Sequence, residues 1–192
     1  PSFEGLDAWP HTTAGVQIGQ LMFTPENLTN PNRITGDRPY AGYLFAGLHL
    51  QRASDAEITG VPTLDVFQLE IGAIGDASGA EDAQDAVHEV FDDVEPQGWD
   101  NQVGDEVAVQ FYYRKKWRFD LVAAESNDWA VQFQAIPAVG GALGSVYRHL
   151  EGGALFRLGW NLPDDFGPAR IGDVGFNGGA AREGWSVAAY GR

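Results

Sequence analysis

A histidine and a glutamine one helical turn apart are the side chains in this sequence best suited to chemistry. They are Gln84 and His88, in a stretch over residues 78–91 that is rich in helix formers, lacks proline and has an acidic first turn. These features predict a helix, on which residues four positions apart share a face. An imidazole titrates near neutral pH, so His88 is a candidate general base. A solvent-facing helix histidine is the alternative interpretation.

A second group of candidates lies in the run aspartate-arginine-proline-tyrosine-alanine-glycine at residues 37–42. Asp37 and Arg38 are predicted to form a salt bridge at a strand entry, and Tyr40 to fix the turn. Alternatively, Arg38 binds a phosphate group, because the geometry of a guanidinium suits that ligand. We therefore predict supporting or substrate-binding roles for all three side chains.

A third group lies in the segment over residues 95–102, which follows the predicted helix and contains tryptophan, aspartate and asparagine. Trp99 is predicted to anchor the returning chain. Asp100 or Asn101 either orders this chain or orients His88. The same two side chains could instead complete a cation shell, since oxygen ligands suit calcium.

Composition excludes several kinds of site. The 192 residues contain no cysteine, so neither a disulfide nor a thiolate nucleophile is available. The 12 basic residues are outnumbered by 27 acidic ones, which gives a formal charge of -15. A nucleic-acid binder needs the opposite balance, so we expect no such partner. No run of about 18 apolar residues predicts a transmembrane helix, but membrane strands would not produce one.

The elements that must position these residues are strands, because apolar and polar residues alternate along most of the chain. About eight strands are predicted, at 14–24, 43–51, 64–74, 107–119, 129–136, 142–147, 154–160 and 185–190. A turn is predicted at 151–153. We expect one all-β antiparallel domain over residues 1–192, with a single short helix at 78–91. The length of several strands fits a membrane barrel with a wet interior, and the alternation fits a soluble β-sandwich or lipocalin-like barrel equally well.

Several separated motifs together resemble the lipid A deacylase family of Gram-negative outer membranes. They are the run at 37–42, the helix with His88 and its proline-glutamine-glycine-tryptophan-aspartate-asparagine-glutamine run at 96–102, and the segment at 159–168. Phenylalanine-threonine-proline-glutamate at 23–26 matches a further strand end of the family. The resemblance extends from about residue 15 to about residue 172.

The resemblance implies a twelve-stranded barrel that hydrolyses the ester of an acyloxyacyl chain on lipid A. It places His88 at the position of the catalytic base and Gln84 one turn before it. It also implies dependence on calcium, with a metal assisting the attack of water. The family's metal-binding aspartate belongs to a strand with no match here, so the metal ligands are unknown.

The same resemblance sets the expected surroundings of the protein. We expect a monomer in the bacterial outer membrane that contacts lipopolysaccharide and membrane lipids. The chain is expected to be incomplete at both ends, since the family's first strand and its last strands have no counterpart in it. The competing interpretations are a non-catalytic outer-membrane barrel and a soluble β-barrel that binds a hydrophobic ligand.

Overall fold

An antiparallel sheet of eight strands dominates the computed structural model, which describes residues 11–91, 94–126, 129–160, 162–167 and 187–191. The strands are β1 (His11–Phe23), β2 (Ala41–Ser54), β3 (Thr63–Ile74), β4 (Glu106–Trp117), β5 (Phe119–Ser126), β6 (Trp129–Gly144), β7 (Arg148–Trp160) and β8 (Val187–Gly191). They pair in the order β1-β2-β3-β4-β6-β7-β8, and β5 also pairs with β6. Within these residues β1 and β8 do not pair with each other, so the sheet is open. The prediction of an all-β antiparallel fold with about eight strands is confirmed.

The strand boundaries around β6 differ from those predicted. Residues 129–136 and 142–147 were expected to form two strands, but 129–144 form one. The turn lies at 145–147, and residues 151–153, expected to turn, pair within β7 with residues 138–140. The break falls instead in the neighbouring strand, where β4 ends at Trp117 and β5 begins at Phe119, beside Ile136 and Pro137 of β6. A proline has no N–H to donate, so the ladder is interrupted on that side.

The polarity of the two faces of the sheet is the reverse of that in a water-soluble protein. The buried face, called the inner face, carries polar side chains: Gln51, Gln68, Glu70, Gln110, Gln132, Gln134 and Arg157. The opposite, outer face exposes large apolar side chains: Val16, Ile18, Leu48, Leu69, Ile71, Val107, Val109, Phe111, Leu143, Leu150, Phe156, Leu158 and Trp160. A water-soluble sheet buries its apolar face, whereas a membrane barrel turns it toward lipid. The alternation therefore has the sense expected of a membrane barrel.

Residues 162–167, which belong to the segment at 159–168 identified in the sequence, fold back against the inner face. Leu162 and Phe166 are buried, and Phe166 packs with Leu64 and Ile136. Arg157 is fully buried and donates to Asp165 Oδ1 at 2.5 Å. The charge of Arg157 is thus paired where water is excluded, and the segment fills the inner face near the end of β7.

Two short helices lie in the connections between strands. The predicted helix at 78–91 is observed as α2 (Ala80–Phe91), preceded by a 3-10 turn at Asp76–Ser78. Helix α1 (Ala56–Thr59), between β2 and β3, was not predicted. A second 3-10 turn covers Trp99–Asn101. Among the described residues, no helix is long and apolar enough to cross a membrane.

The connections that carry the motifs meet at one end of the sheet. Residues 24–40 join β1 to β2 and residues 75–105, which include α2, join β3 to β4. The short turn at 145–147 lies at the same end, and residues 55–62, which join β2 to β3, lie at the other end. The two long connections thus bring residues 37–40 and 96–102 to the end of the sheet that carries α2.

Candidate active site

Helix α2 begins against the outer face of the sheet. Gly42 lies on β2 on the same face as Leu44 and Leu48, and a Cβ atom added to Gly42 would overlap Ser78 Oγ and the Ala80 side chain. From β1, Gln20 Nε2 donates to the Ser78 carbonyl at 2.7 Å. The glycine that ends the motif at 37–42 is therefore needed for the helix to approach the sheet. The candidate site lies on the apolar side of the sheet.

A small aromatic core joins two of the motifs to this helix. Tyr40 and Trp99 are buried, with ring centroids 4.9 Å apart, and they pack with Ala80. The Tyr40 hydroxyl donates to the Leu28 carbonyl at 3.1 Å. A Cβ atom on Gly98 would overlap the Tyr40 ring, so the glycine in the run at 96–102 makes room for this packing. Burial of the ring raises the pKa of Tyr40 above its ordinary value.

A chain of hydrogen bonds leads from this core to His88. Trp99 Nε1 donates to Gln84 Oε1 at 3.0 Å. Because its oxygen is engaged, Gln84 presents its amide nitrogen to His88, and the two Nε2 atoms are 3.4 Å apart. On the other side of the ring, His88 Nδ1 lies 2.5 Å from the carbonyl oxygen of Val94. A tryptophan N–H can only donate and a carbonyl can only accept, so the direction of every bond in the chain follows.

This arrangement assigns the tautomer of His88. The Val94 carbonyl requires a proton on Nδ1, and the Gln84 amide requires a lone pair on Nε2. Orientation of an imidazole by a partner on one nitrogen, with a lone pair on the other, is what a general base needs. The 3.4 Å separation from Gln84 is long for a hydrogen bond, so a water molecule can replace the amide at Nε2 at little cost.

The remaining predicted site residues do not contact His88. Asp37 accepts the backbone N–H groups of Glu26 at 2.9 Å and Arg38 at 2.7 Å. These two bonds hold the pKa of Asp37 below its usual range. The charge of the Arg38 guanidinium also lowers the pKa of Asp37, but the groups that bind the carboxylate are these two backbone N–H groups.

Arg38, Asp100 and Asn101 are exposed. The guanidinium group of Arg38 makes no hydrogen bond or ion pair with the part of the chain that the structure describes, so it is open to an anionic ligand. Asn101 Nδ2 donates to the Pro31 carbonyl at 2.8 Å, which ties two loops together. Of the predicted supporting residues, Gln84 contacts His88, and Tyr40 packs on Trp99, which donates to Gln84. Arg38, Asp37, Asp100 and Asn101 lie in the surrounding loops.

Acidic side chains surround the first turn of α2. Burial raises the pKa of Glu81, and Asp85, Asp100, Asp76 and Asp82 raise it further by repulsion. Within the described ranges, no group of three or more histidine, aspartate or glutamate side chains is arranged to hold a metal ion. These residues do not by themselves form a calcium site.

Two features of the site were not predicted from the sequence. The carbonyl of Val94 is a backbone group, so its residue type carries no signal. The contact of Ser78 and Ala80 with Gly42 joins distant parts of the chain. One sign in the sequence indicated that another segment approaches the strand closely there: Gly42 stands at the start of a run of alternating residues that are mostly large.

Comparisons with known proteins agree with this architecture. The family model described as "Outer membrane protein LpxR" matches residues 6–192. The solved structure of LpxR from Salmonella typhimurium is similar, with a TM-score of 0.62 and 23% sequence identity over 77% of this chain and 47% of that chain. The chain thus spans about half the length of that structure. No curated protein sequence matches it significantly. The chain belongs to the LpxR family and is an outer-membrane protein.

Proposed function

We propose that this protein is an esterase that removes an acyloxyacyl chain from lipid A, with His88 as the general base. The observation that carries the proposal is the set of bonds around His88, in which the Val94 carbonyl and Gln84 leave the lone pair on Nε2. The position of α2 beside the apolar outer face supports a membrane lipid as the substrate. Family membership supports the same choice.

The proposed reaction needs only water as the nucleophile. His88 Nε2 takes a proton from a water molecule whose oxygen attacks the ester carbonyl. The bond between the carbonyl carbon and the sugar oxygen then breaks, and the imidazolium returns its proton to that departing oxygen. The products are a free acyloxyacyl acid and a lipid A hydroxyl group. The chemistry uses neither a serine nor a cysteine nucleophile, in keeping with a sequence that has no cysteine.

Calcium is part of the proposal through the family resemblance. A divalent cation supplies charge stabilisation at a developing oxyanion when it is bound. Because the described residues do not form a calcium site, no step is assigned to the ion. Removal of calcium by a chelator is expected to stop the reaction, and activity that survives chelation would remove the ion from the proposal.

The guanidinium of Arg38 is the proposed contact for a phosphate group of lipid A. It is exposed at the same end of the sheet as α2, and a guanidinium suits bidentate binding of phosphate. Arg38→Ala is expected to raise KM with little change in kcat. An effect on kcat alone would argue against a role in substrate binding.

The direct test is production of the protein in a Gram-negative host that has no lipid A deacylase. Mass spectrometry of the extracted lipid A is expected to show loss of the mass of one acyloxyacyl group. Unchanged lipid A, in cells whose outer membrane contains the folded protein, would favour the alternative of a non-catalytic barrel.

A further inference from the structure

The apolar stripe of α2 is covered by protein at its beginning and uncovered at its end. Ala80, in the first turn, is 1% exposed against the outer face of the sheet. Further along the same side of the helix, Val87 is 49% and Phe91 is 76% exposed. Val90 beside them is 77% exposed. The described part of the chain leaves this apolar surface without a partner.

The other side of the same helix is acidic. Glu81, Asp82, Asp85 and Glu89 lie away from the apolar stripe at helical spacing. Gln84 and His88 lie along the border between the two sides. A helix with this division of polarity lies along an interface between water and an apolar phase.

The uncovered stripe is continuous with a surface that already faces lipid. Helix α2 starts on the outer face, beside Gly42. On that face Met22 lies opposite Gly42 on the adjacent strand and Leu44 lies next to it on β2, and these side chains are 41% and 39% exposed. Farther from α2, the same face carries the exposed apolar side chains of β2, β3 and β4. Because the protein belongs to an outer-membrane family, this face contacts acyl chains.

We propose that α2 is an interfacial helix whose C-terminal half inserts Val87, Val90 and Phe91 among the acyl chains of the outer leaflet. The occupant of the uncovered stripe is thus lipid, supported by the continuity of the stripe with the lipid-facing sheet. The acidic side of the helix then faces water. His88, on the border, lies at the depth where polar headgroups meet acyl chains. This placement does not require that the protein be an esterase.

The absence of cysteine makes a clean labelling experiment possible. Val90→Cys and Phe91→Cys are each labelled with an environment-sensitive fluorophore, and Asp85→Cys and Glu89→Cys serve as matched controls on the acidic side. All four positions are exposed, so the variants are expected to fold, which heat-modifiable migration on gels checks. Each protein is reconstituted in phosphatidylcholine vesicles with or without doxyl-labelled lipid.

The labels at positions 90 and 91 are expected to emit at shorter wavelength than the controls and to be quenched several-fold more by doxyl lipid. The controls are expected to be quenched by aqueous iodide instead. Equal iodide quenching at all four positions would overturn the proposal, because the stripe would face water. Protection of positions 90 and 91 from both quenchers would also overturn it, since another part of the chain or a second copy would then cover the stripe. Failure of the esterase assay would leave these readings unaffected.

Discussion

Replacement of Gln84 by glutamate turns the amide beside His88 into a carboxylate of nearly the same size. The bond from Trp99 Nε1 is retained, because a carboxylate oxygen accepts it as the amide oxygen does. The second carboxylate oxygen then faces His88 Nε2 at about the present 3.4 Å and favours a proton on that nitrogen. With Nδ1 held by the Val94 carbonyl, the ring becomes an imidazolium, which has no lone pair with which to act as a base.

The size of the effect follows from this distance. Two unit charges 3.4 Å apart attract by about 1 kcal/mol in water and about 5 kcal/mol at an effective dielectric constant of 20. His88 is partly exposed, so a value of about 1–3 kcal/mol applies. Since one pH unit corresponds to about 1.4 kcal/mol, Gln84→Glu is expected to move the rising limb of the kcat profile upward by about one to two pH units. Activity is therefore lost near neutral pH and recovered in alkaline buffer.

The assay is hydrolysis of purified lipid A in detergent micelles, followed by mass spectrometry over a range of pH. Gln84→Met is the matched control, because it removes both polar atoms at similar volume and adds no charge. It is expected to lower kcat without displacing the pH profile. A profile for Gln84→Glu that coincides with the unmodified protein would refute the assigned roles of Gln84 and His88.

Three further predictions concern the supports of the site. Gly42→Ala is expected to lower activity by displacing the start of α2 from the sheet while the strands stay folded, whereas Gly153→Ala, which meets no neighbour, leaves activity unchanged in the same assay. Arg157→Met removes the fully buried partner of Asp165, whose side chain is 14% exposed, and is expected to cost about 3–5 kcal/mol in urea unfolding. Arg114→Met, whose ion pair is exposed, is expected to cost about 0–1 kcal/mol, and equal losses would contradict the role of the pair of Arg157 and Asp165. Burial raises the pKa of Glu81, so the folded helix keeps this proton to higher pH than the unfolded chain and loses stability as pH rises through that range. Glu81→Gln should increase amide protection of α2 near neutral pH but not below about pH 4, and no gain at neutral pH would contradict this sign.

Alternation predicted most of the strands because it reflects the two faces of a sheet, and it located β3 within one residue at its start. It did not predict that residues 129–144 form one strand, since a run of glycine and small residues at 138–142 interrupts the pattern. It also could not say which face is buried. That choice depends on the segment 162–167 and on the curvature of the sheet, neither of which is local.

The pairing of Gln84 with His88 was predictable because helical spacing is a local property. The contact of Trp99 with Gln84 was not, since it depends on how the loop returns over the helix. Asp37 was expected to bind a guanidinium but binds backbone N–H groups instead. Short acidic side chains in turns commonly bond to nearby backbone, and an ion pair between adjacent residues has no comparable geometric advantage.

The role of His88 as the base is the central claim, and one substitution tests it most directly. His88→Ala removes the imidazole, and the lipid A of cells that make this variant is expected to keep its acyloxyacyl group, as measured by mass spectrometry. His149→Ala, at an exposed position on β7, is the matched control and is expected to remain active. Both variants should keep the heat-modifiable migration of a folded barrel. Normal deacylation by the folded His88→Ala protein would contradict the account.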